Sequence, residues 1–367
     1  MIVQFEPMMT ENYAKAVYEQ IVSNWIGFGP RIDEFEEALA KYVNVHNAVA
    51  VSSGTAALMI AMVALGIGEG TKVVLPDYSF IAAANVLRFL KADFILVDIN
   101  KDTLCLDVEG MKEACSKYDV EAVVFINHNG YVGEDLLEVV RYCKQFGIKL
   151  IEDSACAFGQ WYNGKHAGTF GDIGCFSFST PKVLTTGQGG MVITNDENLA
   201  LECRKMVDQG SVTWRKDGYH EGVGLNFKFN DVLAALGMAQ FETLDKIFAM
   251  RRDNYSRFIE NGLDLHYYPA DINNGPWMNI LMDVPAKMLM GRLSEHDIQS
   301  KMYYRPTHRS IGMGGRSWMP KSWLPYYCPE ADRVYERTLY LPSSFNLKTE
   351  DIDYICRTVE DTLKEVV

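Results

Sequence analysis

Residues 48–65, AVAVSSGTAALMIAMVAL, decide the fold class of this chain. The opening AVAV run is apolar and partly β-branched, which is typical of a strand buried in a parallel sheet. Residues 55–65 are apolar nearly all round, which indicates a helix without a solvent-exposed face. The SSG between them is a turn of the kind that ends a strand and begins a helix. The stretch therefore predicts a strand–turn–helix unit inside an α/β domain.

The same alternation continues along the chain and predicts a layered α/β domain. Further short apolar runs, each interpreted as a parallel strand, are found at 72–75, 93–97, 121–126, 148–151 and 191–194. Segments with helical periodicity are found at 32–43, 136–146 and 196–207. Strands that alternate with helices form a mostly parallel sheet with helices packed on it. We expect residues 1–244 to form this large α/β domain.

The pattern changes after residue 244. Helical periodicity at 248–261 is followed by short mixed segments with several Pro and Gly, and a last helix is predicted at 349–366. We expect residues 245–367 to form a smaller α+β domain that packs on the first.

The composition excludes several classes of protein. The chain has 367 residues and a formal net charge of -13, which disfavours nucleic-acid binding. The longest apolar stretch, 56–65, is about half of the ~20 residues that a membrane-spanning helix needs, and the N-terminus lacks a leader pattern. The 8 Cys form no CxxC pair and the 7 His form no HExxH. We therefore expect no metal site, no membrane partner, and reduced thiols in the cytoplasm.

Three motifs follow predicted strands, at the edge where α/β proteins bind ligands. Residues 52–55 (SSGT) open the buried helix, whose free N–H groups suit a phosphate, although a Ser/Thr N-cap explains them as well. Asp153 follows the 148–151 strand and could serve a metal, a sugar hydroxyl or a protonated ring nitrogen, or be a solvated acid. Lys182 lies between an aromatic stretch and a Gly-rich turn. Confinement would disfavour the charged form of its amine and favour a Schiff base, whereas most single lysines are exposed.

Together the three motifs fit one cofactor better than any of them does alone. Pyridoxal phosphate needs a Schiff-base lysine, an acidic partner for its pyridine nitrogen and a cup for its phosphate. We therefore predict a pyridoxal-phosphate enzyme in which Asp153 and Lys182 are catalytic.

The chain resembles the DegT/DnrJ/EryC1/StrS family of pyridoxal-phosphate sugar aminotransferases over nearly its whole length. The resemblance rests on SSGTAAL (52–58), LPDYSFIAAANV (75–86), IEDSACAFG (151–159), GDIGCFSFSTPKVLTTGQGGMVITND (171–196), GLNFKFNDVLAALGMAQ (224–240) and YYRPTH (303–308). It implies the aspartate-aminotransferase-like fold, fold type I.

The resemblance also implies roles for particular residues. Lys182 matches the Schiff-base lysine that shuttles the proton, and Asp153 matches the carboxylate that keeps the ring nitrogen protonated. Phe80 matches the aromatic residue that stacks on the cofactor ring. The residues that match the phosphate cup are Gly54, Thr55 and Ser177. Asn226 matches an asparagine that reaches the phosphate from the partner subunit, which implies a homodimer with shared active sites.

Some positions depart from the family pattern. Cys156 stands where many members carry Gln, His or Glu beside the cofactor hydroxyl, and Lys228 replaces the usual Arg of the partner loop. Residues 127–131 (NHNGY) differ from the commoner HLYG loop that borders the sugar. For His128, and for Arg305 and His308 in YYRPTH, contact with the sugar and a structural or surface role both stay open.

The expected reaction is the transfer of an amino group from glutamate to a keto sugar. Residues 185–190 (TTGQGG) resemble the TTGEGG block of the family's GDP-perosamine synthases, which implies a nucleotide-linked 4-keto-6-deoxyhexose as acceptor. A keto sugar acid such as 8-keto-3-deoxy-octulosonate is the alternative acceptor, and sugar dehydration is the alternative reaction. The family's dehydratase branch replaces the Schiff-base lysine with His, so Lys182 favours amination.

Overall fold

A computed structural model of the chain describes residues 1–212, 218–266, 274–310 and 328–365. The helices are α1 (Glu11–Val22), α2 (Pro30–Val43), α3 (Gly54–Ala64), α4 (Ala82–Phe89), α5 (Val108–Lys117), α6 (Glu134–Phe146), α7 (Glu197–Val207), α8 (Asp231–Phe241), α9 (Leu244–Glu260), α10 (Ala286–Glu295), α11 (Pro329–Arg337) and α12 (Thr349–Lys364). Within the described ranges, no helix combines the length and the apolar character needed to cross a membrane.

The strands form one large sheet and two small ones. The strands are β1 (Asn47–Val51), β2 (Lys72–Pro76), β3 (Asp93–Val97), β4 (Ala122–Ile126), β5 (Lys149–Asp153), β6 (Trp161–Tyr162), β7 (Lys165–His166), β8 (Ile173–Ser177), β9 (Gly190–Thr194), β10 (Ile280–Leu281) and β11 (Leu339–Tyr340). The 7-stranded sheet has the order β1-β9-β8-β5-β4-β2-β3. Its pairs from β3 to β8 are parallel, which confirms the mostly parallel α/β fold expected from the sequence.

The structure differs from the sequence prediction at two neighbouring strands. β9 runs antiparallel to β1 and β8, whereas the 191–194 run is predicted to be parallel. The connection from β8 to β9 contains no helix that could cross the sheet, so the chain turns back instead. β8 escapes prediction because its sequence, IGCFS, contains few large apolar residues. Small residues are needed there: a Cβ at Gly174 would lie 2.1 Å from the carbonyl oxygen of Gly168.

Helices cover both faces of the sheet and bury alternate residues of each strand. Val49 and Val51 of β1 pack in the same core as α3, whereas Ala48 and Ala50 pack on the opposite face with α2. Burial of one such valine contributes about 1.5–3 kcal/mol to stability. The packing on both faces therefore keeps the ends of the strands, where the functional loops begin, in fixed positions.

A second core lies in the C-terminal part of the chain. Phe258, near the end of α9, packs with Leu289 of α10, Ile355 of α12 and the small β10–β11 sheet. The start of α9 packs instead in the core on the large sheet. α9 therefore joins the two cores, and the division of the chain into domains after residue 244 stays a prediction. The last helix is described to Lys364, and residue 366, where we predict its end, lies outside the described residues.

Candidate active site

A cavity of about 370 Å³ opens at the carboxyl ends of the central strands. Its walls come from the turns after β1, β2, β4 and β5, from the end of β8 and from the C-terminal part of the chain. The described residues that line it are Ser53, Gly54, Thr55, Leu58, Phe80, Ala82, Ile126, Asn127, His128, Asn129, Asp153, Ala155, Cys156, Cys175, Phe176, Ser177, Ser179, Pro181, Lys182, Gln188, Trp277, Tyr303 and Tyr304. This is the edge at which open α/β sheets bind ligands.

Lys182 lies in this cavity, on the loop between β8 and β9. Its Nζ is 3.2 Å from the Sγ of Cys156 and 4.3 Å from the ring centroid of Trp277. The indole Nε1 of Trp277 donates to the carbonyl oxygen of Pro181 at 2.6 Å. One tryptophan therefore fixes the loop just before the lysine and also covers the amine with its ring.

Buried hydrogen bonds hold the loop that carries Lys182. The backbone N–H of Thr185 donates to Oε1 of Gln240 at 3.1 Å, and Nε2 of Gln240 donates back to the Thr185 carbonyl. The hydroxyl of Thr185 and the N–H of Thr186 both donate to the carbonyl of Phe178, at 3.0 and 2.9 Å. These polar groups therefore have hydrogen-bond partners although the loop has no regular secondary structure. Their burial consequently costs little free energy.

Asp153 and Glu152 end β5 and point to opposite sides of the strand. Asp153 lines the cavity, and its Oδ1 accepts the N–H of Ala155 at 3.1 Å. Burial raises the pKa of Asp153, and this hydrogen bond and the charge of Lys182 oppose the shift. The carboxylate of Glu152 accepts N–H groups of residues 168, 170 and 171. Glu152 therefore anchors the segment that leads into β8, and burial raises its pKa to about 7.

The start of α3 and the end of β8 approach each other very closely. The hydroxyl of Ser53 caps α3 by accepting the N–H of Ala56 at 3.1 Å. A Cβ at Gly54 would lie 2.8 Å from the Cβ and 3.1 Å from the Oγ of Ser177. The start of α3 and the hydroxyl-bearing residues Thr55, Ser177 and Ser179 thus line the cavity together. Free N–H groups, a positive dipole end and hydroxyl donors are suited to bind a phosphate.

Two further cavity residues carry uncharged polar groups. Burial raises the pKa of the Cys156 thiol, although neighbouring Lys182 lowers it. Burial lowers the pKa of His128 to about 3, so its imidazole is neutral at pH 7. Nε2 of His128 lies 2.8 Å from the hydroxyl of Tyr340. His128 therefore presents a polar but uncharged ring beside the cavity.

The structure brings most, but not all, of the predicted site residues together. Lys182, Asp153, Gly54, Thr55, Ser177, Phe80, Cys156 and His128 line the cavity, whereas Asn226, Arg305 and His308 are absent from its described lining. Asn226 is exposed and pairs through its backbone with Asp208, and Arg305 is exposed. His308 is bonded to Asp77. Among the described residues, no cluster of His, Cys, Asp or Glu could hold a metal ion.

Sequence reasoning missed three aromatic residues of the cavity. Trp277 lies in a GPWM segment that carries no recognisable signal. Tyr303 and Tyr304 open the YYRPTH motif, in which the more polar Arg305 and His308 are the obvious candidates. A tyrosine pair at the start of such a motif is the signal that could have indicated them.

The residues present fit pyridoxal phosphate. The cavity contains an enclosed lysine amine, a buried carboxylate and a helix start suited to a phosphate, where a Cβ at Gly54 would collide with Ser177. These three groups are the ones that the cofactor requires.

Comparisons with known proteins agree with this site. The model of the DegT/DnrJ/EryC1/StrS aminotransferase family matches residues 7–360. The chain is 31% identical to the GDP-perosamine synthase of Escherichia coli O157:H7, over 97% of each chain, and 31% identical to that of Vibrio cholerae, over 98% of this chain and 99% of the relative. The aminotransferase TlmJ from Streptoalloteichus hindustanus superposes with a TM-score of 0.91 at 30% identity, over 100% of both chains.

Fold, cavity and relatives together define a pyridoxal-phosphate-dependent sugar aminotransferase of fold type I. The chain belongs to the DegT/DnrJ/EryC1/StrS aminotransferase family. The family, the fold class and the cofactor predicted from the sequence are thereby confirmed.

Proposed function

We propose that this enzyme transfers an amino group from glutamate to a nucleotide-linked 4-keto-6-deoxyhexose, of the type that yields GDP-perosamine. The observation that carries the proposal is the meeting of the Lys182 amine, the Asp153 carboxylate and the start of α3 in one cavity. The acceptor is supported by near full-length relatives that are GDP-perosamine synthases. A third GDP-perosamine synthase, from Caulobacter vibrioides, is 36% identical over 67% of this chain and 66% of the relative.

The proposed chemistry divides the work between cofactor and protein. When bound, pyridoxal phosphate supplies an aldehyde that condenses with amines and a ring that accepts electrons. Lys182 would hold the cofactor through its amine and would move a proton to or from the carbon that carries the nitrogen. Asp153 would accept a hydrogen bond from the protonated ring nitrogen of the bound cofactor. A cation at that position offsets the burial that raises the pKa of Asp153.

Further residues are proposed to orient the cofactor. Phe80 would stack on its ring and Cys156 would lie beside its hydroxyl. Gly54, Thr55 and Ser177 would bind its phosphate through the free N–H groups and hydroxyls at one end of the cavity.

We propose that the enzyme works as a homodimer in the cytoplasm, where its free cysteines stay reduced. Four large apolar residues at and just after the end of α1 are each at least half exposed: Ile21, Val22, Trp25 and Ile26. Such a patch is typical of an interface between subunits. Asn226 lies outside the described lining of its own cavity, which agrees with a role in the cavity of the partner.

The test replaces the lysine and follows both the cofactor and the product. Lys182→Ala should lower turnover by roughly a hundredfold to ten-thousandfold, because the proton-transfer group is lost. Its visible absorption band should no longer respond to glutamate as in the wild type. Lys144→Ala, at an exposed lysine of α6, is the matched control and should behave as wild type. Wild-type turnover by Lys182→Ala would refute the proposal.

Product analysis separates the alternatives. With glutamate and a GDP-linked 4-keto-6-deoxyhexose, mass spectrometry should show an amino sugar and 2-oxoglutarate. A product that has lost water instead would identify a dehydratase. Amination of 8-keto-3-deoxy-octulosonate in preference to the nucleotide sugar would identify the keto sugar acid as the acceptor.

A further inference from the structure

The segment that carries Tyr303 and Tyr304 is tied to the end of β2 at several points. The hydroxyl of Tyr78 donates to the carbonyl of Tyr303. Two residues past the exposed Arg305, the N–H of Thr307 donates to the carbonyl of Asp77 at 2.8 Å. Tyr303 and Tyr304 stack with ring centroids 5.1 Å apart, and both line the cavity. The end of β2 therefore determines where this pair of aromatic rings, the tyrosine wall, is held.

The strongest of these ties is an ion pair. The backbone N–H of His308 donates to Oδ1 of Asp77 at 2.9 Å, and Nδ1 of the same histidine contacts Oδ2. Asp77 is 0% exposed, so its charge requires a partner. Charge-assisted hydrogen bonds of this kind are about twice as strong as neutral ones.

Both ring nitrogens of His308 face carboxylates. Nε2 lies 3.4 Å from Oδ1 of Asp332, a residue of α11. The same carboxylate oxygen pairs with Nε of Arg309, the residue after His308, at 2.6 Å. The thiol of Cys328, which precedes α11, also bonds to Asp77, and Asp98 interacts with Asp77 electrostatically. Both ring nitrogens of His308 therefore pair with protein carboxylates, and His308 is not among the described residues that line the cavity.

We propose that Asp77 and His308 form a latch that positions the tyrosine wall against the acceptor sugar. This inference rests on the proposed function and deepens it, because it names positioning residues for one substrate. Aromatic faces pack well on the apolar face of a sugar ring, whereas glutamate has no ring to pack. Loss of the latch therefore weakens binding of the acceptor more than reaction with the donor.

The latch depends on pH. The hydrogen bond to Asp77 is the main cause that raises the pKa of His308 above its usual 6.5. Because the pKa of His308 is higher in the folded protein, its pair with Asp77 contributes its full stabilisation below about pH 6.5. This stabilisation is lost as the pH rises through the pKa that His308 has in the folded protein. The KM for the acceptor should therefore rise at alkaline pH.

The experiment compares His308→Gln and Asp77→Asn with Glu336→Gln as the matched control. Glu336 pairs with Arg309 at 2.9 Å, so its loss leaves the latch intact. With a GDP-linked 4-keto-6-deoxyhexose as probe, each latch variant of the holoenzyme should raise the acceptor KM about tenfold or more. The single-turnover rate with glutamate should change less than about threefold, and His308→Gln should abolish the alkaline rise in the acceptor KM.

Hydrogen–deuterium exchange of the holoenzyme tests the latch without any sugar. Residues 307 and 308 should exchange about tenfold faster in the latch variants than in wild type or Glu336→Gln. Unchanged exchange, an unchanged acceptor KM, or an equal loss of donor and acceptor reaction would each overturn the latch. Should a variant fail to fold, the pH profile of the wild-type acceptor KM decides, and a flat profile counts against the latch. Failure of the wild type to aminate the probe would refute the proposed acceptor, and the exchange rates would still decide the latch.

Discussion

A single added methyl group at Gly54 tests whether the start of α3 and the end of β8 together bind the cofactor phosphate. In Gly54→Ala the new Cβ would lie 2.8 Å from the Cβ of Ser177, where ordinary contacts begin near 3.4 Å. The shortfall of roughly 0.6 Å has to come from movement of the helix or the strand, and such overpacking costs about 1–3 kcal/mol. The gain from replacing a helical glycine by alanine is at most about 1 kcal/mol, so the clash dominates.

The movement should widen the part of the cavity where we propose that the phosphate binds. We expect the dissociation constant of pyridoxal phosphate to rise about tenfold or more, which corresponds to about 1.4 kcal/mol. Spectroscopic titration of the cofactor measures this constant, and thermal unfolding of the holoenzyme measures the loss of stability.

Gly291→Ala is the matched control. Gly291 lies in α10, and a Cβ there has nothing within 4 Å. This variant should bind the cofactor as the wild type does and gain about 0.5–1 kcal/mol in unfolding free energy. Wild-type cofactor affinity in Gly54→Ala would refute the reasoning, because it would show that the close contact with Ser177 has no part in binding the phosphate.

Substitutions at two further positions, Gln240 and Trp277, probe the support of the lysine loop. Gln240→Ala leaves the buried N–H and carbonyl of Thr185 without their partner, so the free energy of unfolding in urea should fall by about 2–4 kcal/mol; a fall below about 0.5 kcal/mol would contradict this account. Trp277→Phe keeps a ring over Lys182 but loses the hydrogen bond to Pro181, whereas Trp277→Leu loses both. The single-turnover rate with glutamate should therefore fall about fivefold more in Trp277→Leu than in Trp277→Phe, because a cation–π contact contributes about 1 kcal/mol. Equal rates in the two variants would argue against any role for the ring.

The elements that the sequence predicted well are those whose signal is local. β1 and α3 occupy Asn47–Val51 and Gly54–Ala64, close to the strand and helix predicted at 48–51 and 55–65. A continuous apolar run and a helix that is apolar all round can be predicted from their own residues, without knowing which elements pack against them. β8 was not readable, because its glycine and small residues are required by the backbone of Gly168, which only the folded chain brings next to it.

The candidate site divides in the same way. Asp153 and Lys182 stand out in sequence because a carboxylate at the end of an apolar run and a lysine before a Gly-rich turn are local patterns. His308 shows the limit of such reasoning. The sequence offers it as a candidate for sugar contact, but the structure pairs both of its ring nitrogens with carboxylates on other elements.

The sequence by itself determined the alternation of strands and helices, the family and the cofactor, since each is carried by short motifs whose own residues are close together along the chain. Only the tertiary structure decided what surrounds the reactive amine. Trp277 bonds to a carbonyl 96 residues away, and His308 bonds to Asp77 across 231 residues. Contacts at such separations depend on how the C-terminal core packs on the edge of the large sheet, and no pattern of neighbouring residues encodes that packing.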